Sequence, residues 1–182
     1  MHGLEDRLRR LLDEREIHDV LLRYCRGVDR CDAALIASCF HEDAHDDHGG
    51  WSARGSEVAQ HVVDAVHPGA STAMHFMGNV LIEVEGDIAF SEAYMLAFRS
   101  YDRAGKQYTR TRAARFVDRF ERRADAWRIS ERVVVDDWNR EDEVVEMQQG
   151  WELFRFGSKD AYDPVYAIRR GPLARSAVGE KA

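Results

Sequence analysis

Apolar positions recur at helical spacing from Leu4 to about Val28, with mixed charges between them. The first of these (Leu4, Leu8, Leu11, Leu12) form either a separate turn or an extension of the helix that follows. Asp32, a good N-cap residue type, precedes a short second helix predicted over Ala33–Phe40. The stretch HEDAHDDHGGWSARG ends in turn residues, and its His41–His48 part reads as a solvated, loop-like edge from which one residue, such as His45 or Asp47, could still reach a pocket. Val58, Val62 and Val66 place a third helix over Ser56–Val66, and His67-Pro68-Gly69 stops it. From Ser71 the period changes to two. Strands are expected at about 72–84, 87–102, 107–122 and 126–136, with hairpin connections at Glu85-Gly86-Asp87 and Arg103-Ala104-Gly105. Helices followed by a meander of long strands define an α+β chain, with N-terminal helices packed on one face of a strongly curved antiparallel sheet. Residues 1–137 are expected to form the folded domain. Residues 138–182 are expected to form a C-terminal extension, docking on that domain or on a neighbouring subunit through Tyr162, Pro164, Val165 and Tyr166. The last ten residues are expected to be mobile.

The chain's 182 residues suit one domain with a sizeable core, and 45% hydrophobic with 32% charged residues is ordinary for a soluble globular protein. A formal net charge of −7 argues against a nonspecific nucleic-acid binder, local arginine patches notwithstanding. Three irregularly spaced cysteines make no disulfide framework, and Cys25 and Cys39 read as small buried apolar residues in a reducing compartment. No apolar run approaches the roughly 20 residues of a membrane span, and the charged N-terminus lacks a signal peptide's apolar core. The expectation is a cytoplasmic protein with no membrane or nucleic-acid partner.

One carboxylate breaks the first helix's pattern. At about 100° per residue, Leu21, Leu22, Cys25 and Val28 share an arc opposite Arg23, Arg26 and Arg30, and Asp29 falls on the apolar arc. A lone buried carboxylate costs several kcal/mol, so Asp29 needs a partner. The best candidate is His75 in the apolar run AMHFMGN, whose strand face also carries Ala73, Met77, Asn79 and Leu81. That face mixes apolar and polar side chains, as a pocket lining does. The bland alternatives are a core histidine satisfied by a carbonyl and a helix-end carboxylate paired with Arg26 or Arg30. Together, a buried Asp that orients a His makes a general base that needs no metal.

Tyr24-Cys25-Arg26-Gly27-Val28-Asp29, then Asp32, then Met74-His75-Phe76 with Gly78, and finally Ala126-Trp127-Arg128-Ile129 resemble the nuclear transport factor 2-like superfamily, in its SnoaL-like branch. Within that branch the pattern is similar to that of scytalone dehydratase, hexachlorocyclohexane dehydrochlorinase and bile-acid 7α-dehydratase, over roughly residues 14–137. The resemblance implies a cone-shaped α+β barrel around one apolar pocket. It implies an Asp29–His75 dyad that removes a carbon-bound proton as a leaving group departs, with no cofactor. Tyr24 matches a tyrosine of the bile-acid enzyme placed to polarise or protonate an oxygen. Arg132 falls near a pocket arginine of the dehydrochlorinase, although alternation groups it with Ser130 and Val134, opposite Trp127 and Ile129. The scytalone enzyme's second pocket histidine falls near Glu92 and is absent.

These residues point to a dehydratase- or dehydrohalogenase-type lyase acting on a small, mostly apolar, cyclic molecule. Asp29, His75 and Tyr24 are its expected catalytic residues, and Arg132, Asn79, Met77 and Arg112 its expected substrate contacts. An isomerase or cyclase would use the same base. A non-catalytic ligand-binding pocket and a scaffold like a dioxygenase small subunit are the other readings. The implied relatives are mostly trimeric, so a homo-oligomer, trimer or dimer, is expected. His41 to His48 could in principle ligate a metal, but strand alternation splits the cluster between two faces. Arg110 and Arg112 share a face with Tyr108 and Phe116, and serve either ion pairing with neighbouring strands or a clamp for an anionic substrate.

Overall fold

The computed structural model describes residues 3–66 and 68–172. Helix α1 runs from Leu4 to Arg30 without a break, so the early leucines extend it. They cover nothing: Leu4, Leu8, Leu11 and Leu12 are exposed. From Ile17 onward Val20, Leu21, Tyr24, Cys25, Val28 and Asp29 are buried, and Leu22, at the arc's margin, is 42% exposed. The helix ends at Cys31, in the left-handed region with φ 55, and Asp32 caps α2 (Ala33–Ala37) by accepting from Leu35 N at 3.0 Å. Strand β1 (Phe40–Asp47), strand β2 (Ser52–Arg54) and helix α3 (Gly55–His61, prolonged by a wider turn over Val62–Val66) follow. Residue 67 of the expected helix stop, and the last ten residues expected to be mobile, lie outside the described residues.

The sheet contains β3 (Ala70–Glu85), β4 (Ile88–Arg103), β5 (Lys106–Arg123) and β6 (Ala126–Glu143), so the last strand crosses the 137/138 boundary. Its order is β2-β1-β6-β5-β4-β3. The outer strands do not meet, so the sheet is curved and cone-like but open. It is antiparallel except where β1 runs parallel to β6. Helix α1 lies against β3 and β6, and the core it shares with the sheet gathers Ile17, Leu21, Phe40, Phe116, Phe120 and Ile129. Part of the C-terminal extension docks on this body: Arg30 meets Asp163 at 3.3 Å, and the Tyr166 hydroxyl donates to Asp32 at 3.0 Å. Tyr162 stays exposed.

Residues 41–47 are the first correction. The segment read as a solvated edge is strand β1, with His41, Ala44 and Asp46 buried. Its polar composition hides a strand because its buried polar groups find partners inside. His41 Nε2 lies 2.9 Å from the Glu121 carbonyl. Burial, then the Arg123 and Arg128 cations, hold the His41 imidazole below its ordinary 6.5. Between the two values the folded chain binds fewer protons than the unfolded one, so this stabilisation is present above 6.5 and lost as pH falls through the lower folded-state value. In denaturant unfolding from about pH 7.5 to about pH 5, wild type should lose more stability than His41→Gln. Equal losses would refute the assignment.

Close packing of β1 on α3 gives a second expected result. A Cβ on Gly55 would stand 1.9 Å from the His41 carbonyl oxygen, a backbone atom with little room to move. Gly55→Ala should therefore cost about 3 kcal/mol or more in denaturant melts, the top of the usual overpacking range. A loss below about 1 kcal/mol would mean that the β1–α3 contact yields easily.

Candidate active site

The last two turns of α1 and the first half of β3 build the site. Asp29 accepts two hydrogen bonds from one residue: His75 Nδ1 lies 2.6 Å from Oδ1 and the His75 backbone N 2.8 Å from Oδ2. Backbone and ring are thus held by the same carboxylate. The two side chains are 11% and 7% exposed, respectively, so the pair is nearly dry. With Nδ1 donating to Asp29, Nε2 is the ring nitrogen left to act as a base. His75 borders a cavity of about 580 Å³, and Tyr24, Val28, Met95 and Phe116 line it as well.

Tyr24 packs edge-on against Phe40 and Phe116, with ring centroids 5.7 and 5.6 Å away. Burial first, then the charge of Asp46, raise its hydroxyl above the usual tyrosine range, so it stays a donor. The neighbouring Cys25 thiol is pushed up to about 12 by burial and offers no thiolate near neutral pH.

Simple alternation fails at two bulges, one in β3 and one in β6. Met77 pairs with Met95 but Val80 with Ala93, so β3 carries one extra residue at Gly78-Asn79. The inward phase passes from Ala73, His75 and Met77 to Val80, Ile82 and Val84. Asn79, an expected substrate contact, is exposed on the outer side beside Phe76 and Tyr94. Met77 packs into the core and is not among the residues lining the main cavity. On β6, Phe120 pairs with Ile129 and Arg119 with Glu131, so Ser130 is the extra residue. Trp127, Ile129, Arg132 and Val134 therefore all point inward, contrary to the simple alternation.

Arg132 is wholly buried and is absent from the lining of the main cavity. It grips Asp118 through Nε and Nη2, at 2.7 and 2.6 Å, and its guanidinium lies 4.3 Å from the Tyr24 ring centre and 4.0 Å from that of Phe116. Burial alone would lower its pKa, and the facing Asp118 carboxylate more than reverses this, so the group is firmly charged.

The main cavity is not apolar, another correction. Arg99, Arg103, Arg110 and Arg112 line one wall, with Asp102. Arg99 and Arg110 sit directly opposite each other on β4 and β5, an unfavourable like-charge pairing. Burial, then Arg112, pull Arg99 below the usual arginine range. Arg112 reaches Asp136 through Nη2 at 2.6 Å, and Arg110 meets Glu141 at 3.1 Å. Met95, Arg99 and Tyr101 were not singled out from sequence, although alternation along β4 carries them on one side with Ala93 and Ala97. His48, also in the lining, comes from the stretch read as an edge, and Trp51 from the turn residues after it. Among the described residues, no group of three or more His, Cys, Asp or Glu is placed to hold a metal ion.

A long helix seated on an open, cone-like curved sheet, with its cavity between them, defines a domain class. Residues 9–133 match the SnoaL-like domain, and the chain belongs to that family. The comparison with curated proteins found no match. Among solved structures, a type 2 hexachlorocyclohexane dehydrochlorinase aligns with a TM-score of 0.71 at 20% identity, covering 79% of this chain and 98% of the other. A type 3 dehydrochlorinase from Novosphingobium barchaimii aligns with 0.67 at 22%, covering 77% and 95%. A candidate scytalone dehydratase from Novosphingobium aromaticivorans aligns with 0.64 at 17%, covering 72% and 88%. At these identities the likeness is one of fold. No helix among the described residues is long and apolar enough to cross a membrane.

Proposed function

We propose that this protein is a cofactor-independent lyase of the dehydratase or dehydrohalogenase type, acting in the cytoplasm on a small, cyclic, largely apolar molecule. The observation that carries the reading is the 2.6 Å contact between Asp29 and His75 Nδ1 beside a cavity. His75 Nε2 takes a proton from carbon, and Asp29 stabilises the imidazolium that forms. Tyr24 supplies an O–H toward the oxygen on which negative charge develops. Names of fold neighbours that are dehydrochlorinases and a candidate dehydratase support the reaction class. The arginine wall favours a substrate with an oxygen-bearing edge. Isomerisation begins with the same proton abstraction, and product analysis separates the two.

A panel of β-hydroxy ketones, β-hydroxy acyl compounds and halocarbons, incubated with wild type and with His75→Ala, tests the reading. Wild type should convert at least one class and His75→Ala should not. Equal turnover by the two proteins would remove the base assignment. A homo-oligomer, trimer or dimer, belongs to the same proposal. Met74, Phe76, Leu81 and Trp138 are exposed large apolar residues on the strands, a surface suited to self-association. Sedimentation equilibrium giving a monomer mass would overturn that part alone.

A further inference from the structure

The dyad uses neither His48 nor Asp46, yet the two make a second carboxylate-held imidazole on the same cavity. His48 follows β1 directly and lines the cavity with His75. Its Nε2 lies 3.1 and 3.2 Å from the two oxygens of Asp46. Its ring stacks on Trp51 with centroids 4.0 Å apart, Trp51 packs against His61 at 4.2 Å, and the His48 backbone N donates to the Trp51 carbonyl at 2.9 Å. This imidazole is therefore fixed, not a loop side chain that happens to lie nearby.

Charge balance gives the pair a use. Asp46 is wholly buried and stands opposite Arg132 in the parallel β1–β6 register, and Arg132 already grips Asp118. Two carboxylates facing one guanidinium leave one negative charge, and a protonated His48 brings the set to neutrality. The two histidines are engaged through opposite nitrogens, His75 through Nδ1 and His48 through Nε2. The nitrogens left for a ligand are accordingly His75 Nε2 and His48 Nδ1.

We infer that His48, positioned by Asp46, is a second catalytic residue of this cavity, the acid that protonates an oxygen leaving group. The inference rests on the elimination reading above. His75 Nε2 takes the proton from carbon, and the C–H electron pair becomes the new π bond as the neighbouring C–O bond breaks. The departing oxygen takes the Nδ1 proton of the His48 imidazolium and leaves as water or an alcohol. His75 ends protonated and His48 neutral, and one proton moved through solvent restores both.

The test uses 4-aryloxy-2-butanones, which eliminate a phenol after losing the proton beside the carbonyl, with leaving groups from 4-nitrophenol to phenol. His75→Gln should slow every member alike, by roughly 10²–10⁴-fold. His48→Gln should slow the phenol ether by about 10²-fold or more and leave the nitrophenol ether nearly unchanged, because that phenolate needs no proton to depart. Asp46→Asn should show the same dependence in milder form. In wild type, nitrogen NMR of ¹⁵N-histidine protein should find neutral His48 protonated on Nε2, a measurement that needs no variant to fold. Equal slowing of all members by His48→Gln, or a neutral His48 protonated on Nδ1, overturns the acid and leaves the base standing. Full turnover by His75→Gln, or no turnover of any member by wild type, overturns the elimination reading and this inference with it.

Discussion

Asp29→Asn should reduce kcat by roughly 10³–10⁴-fold on whatever substrate the wild type converts, while the protein stays folded. The carboxylate does two things that an amide cannot. It accepts from His75 Nδ1 at 2.6 Å, which leaves Nε2 unprotonated toward the cavity, and it offsets the positive charge when the ring takes a proton. An asparagine NH₂ facing Nδ1 would donate to it and move the ring proton to Nε2, the nitrogen that must be bare. Asp29→Ala should be equally inactive and should also free the His75 backbone N–H, now bonded at 2.8 Å. Steady-state kinetics on purified variants, with circular dichroism as the folding control, measure this. An Asp29→Asn protein within about tenfold of wild type would show that the carboxylate only builds the fold.

Asp118→Ala should lower stability by about 3 kcal/mol, the cost of taking from a buried cation its two-pronged partner while Asp46 still faces it. For a domain of this size that is a fall in Tm on the order of 10 °C. The expectation follows from the complete burial of both side chains and the two-pronged contact at 2.7 and 2.6 Å. Arg132→Met combined with Asp118→Leu should recover only part of the loss, because the apolar pair also removes the cation that faces the buried Asp46. Activity should not recover with it, since the Arg132 guanidinium lies 4.3 Å from the Tyr24 ring. Calorimetry of the single and double variants decides the matter. A single variant within about 1 kcal/mol of wild type would mean that water or another group reaches Arg132.

Both results concern residues that the chain's pattern exposes to different degrees. Asp29 is visible in the sequence because helical periodicity is local: it places a charge on an arc whose other members are apolar. His75 is visible because its neighbours Met74, Phe76 and Met77 are apolar. Arg132 is visible as a residue but not as a core ion pair, because Asp118 lies on another strand and faces it only through the β5–β6 register. The errors at Asn79 and at the Ser130–Arg132 phase have one cause. Strand periodicity is exact only within an unbroken ladder, and one bulged residue turns every following side chain to the other face.

By itself the sequence determined the N-terminal helices followed by four long strands, the curved-sheet α+β class and the candidate pairing of Asp29 with His75. Those features depend on short-range periodicity and on the high cost of burying a charge alone. Only the tertiary structure decided which faces line the cavity, that residues 40–47 are a partly buried strand beside β6, and that His48 joins His75 on one cavity. Those depend on register between strands distant in the chain. Register is fixed by contacts and bulges that no local pattern of apolar and polar residues encodes.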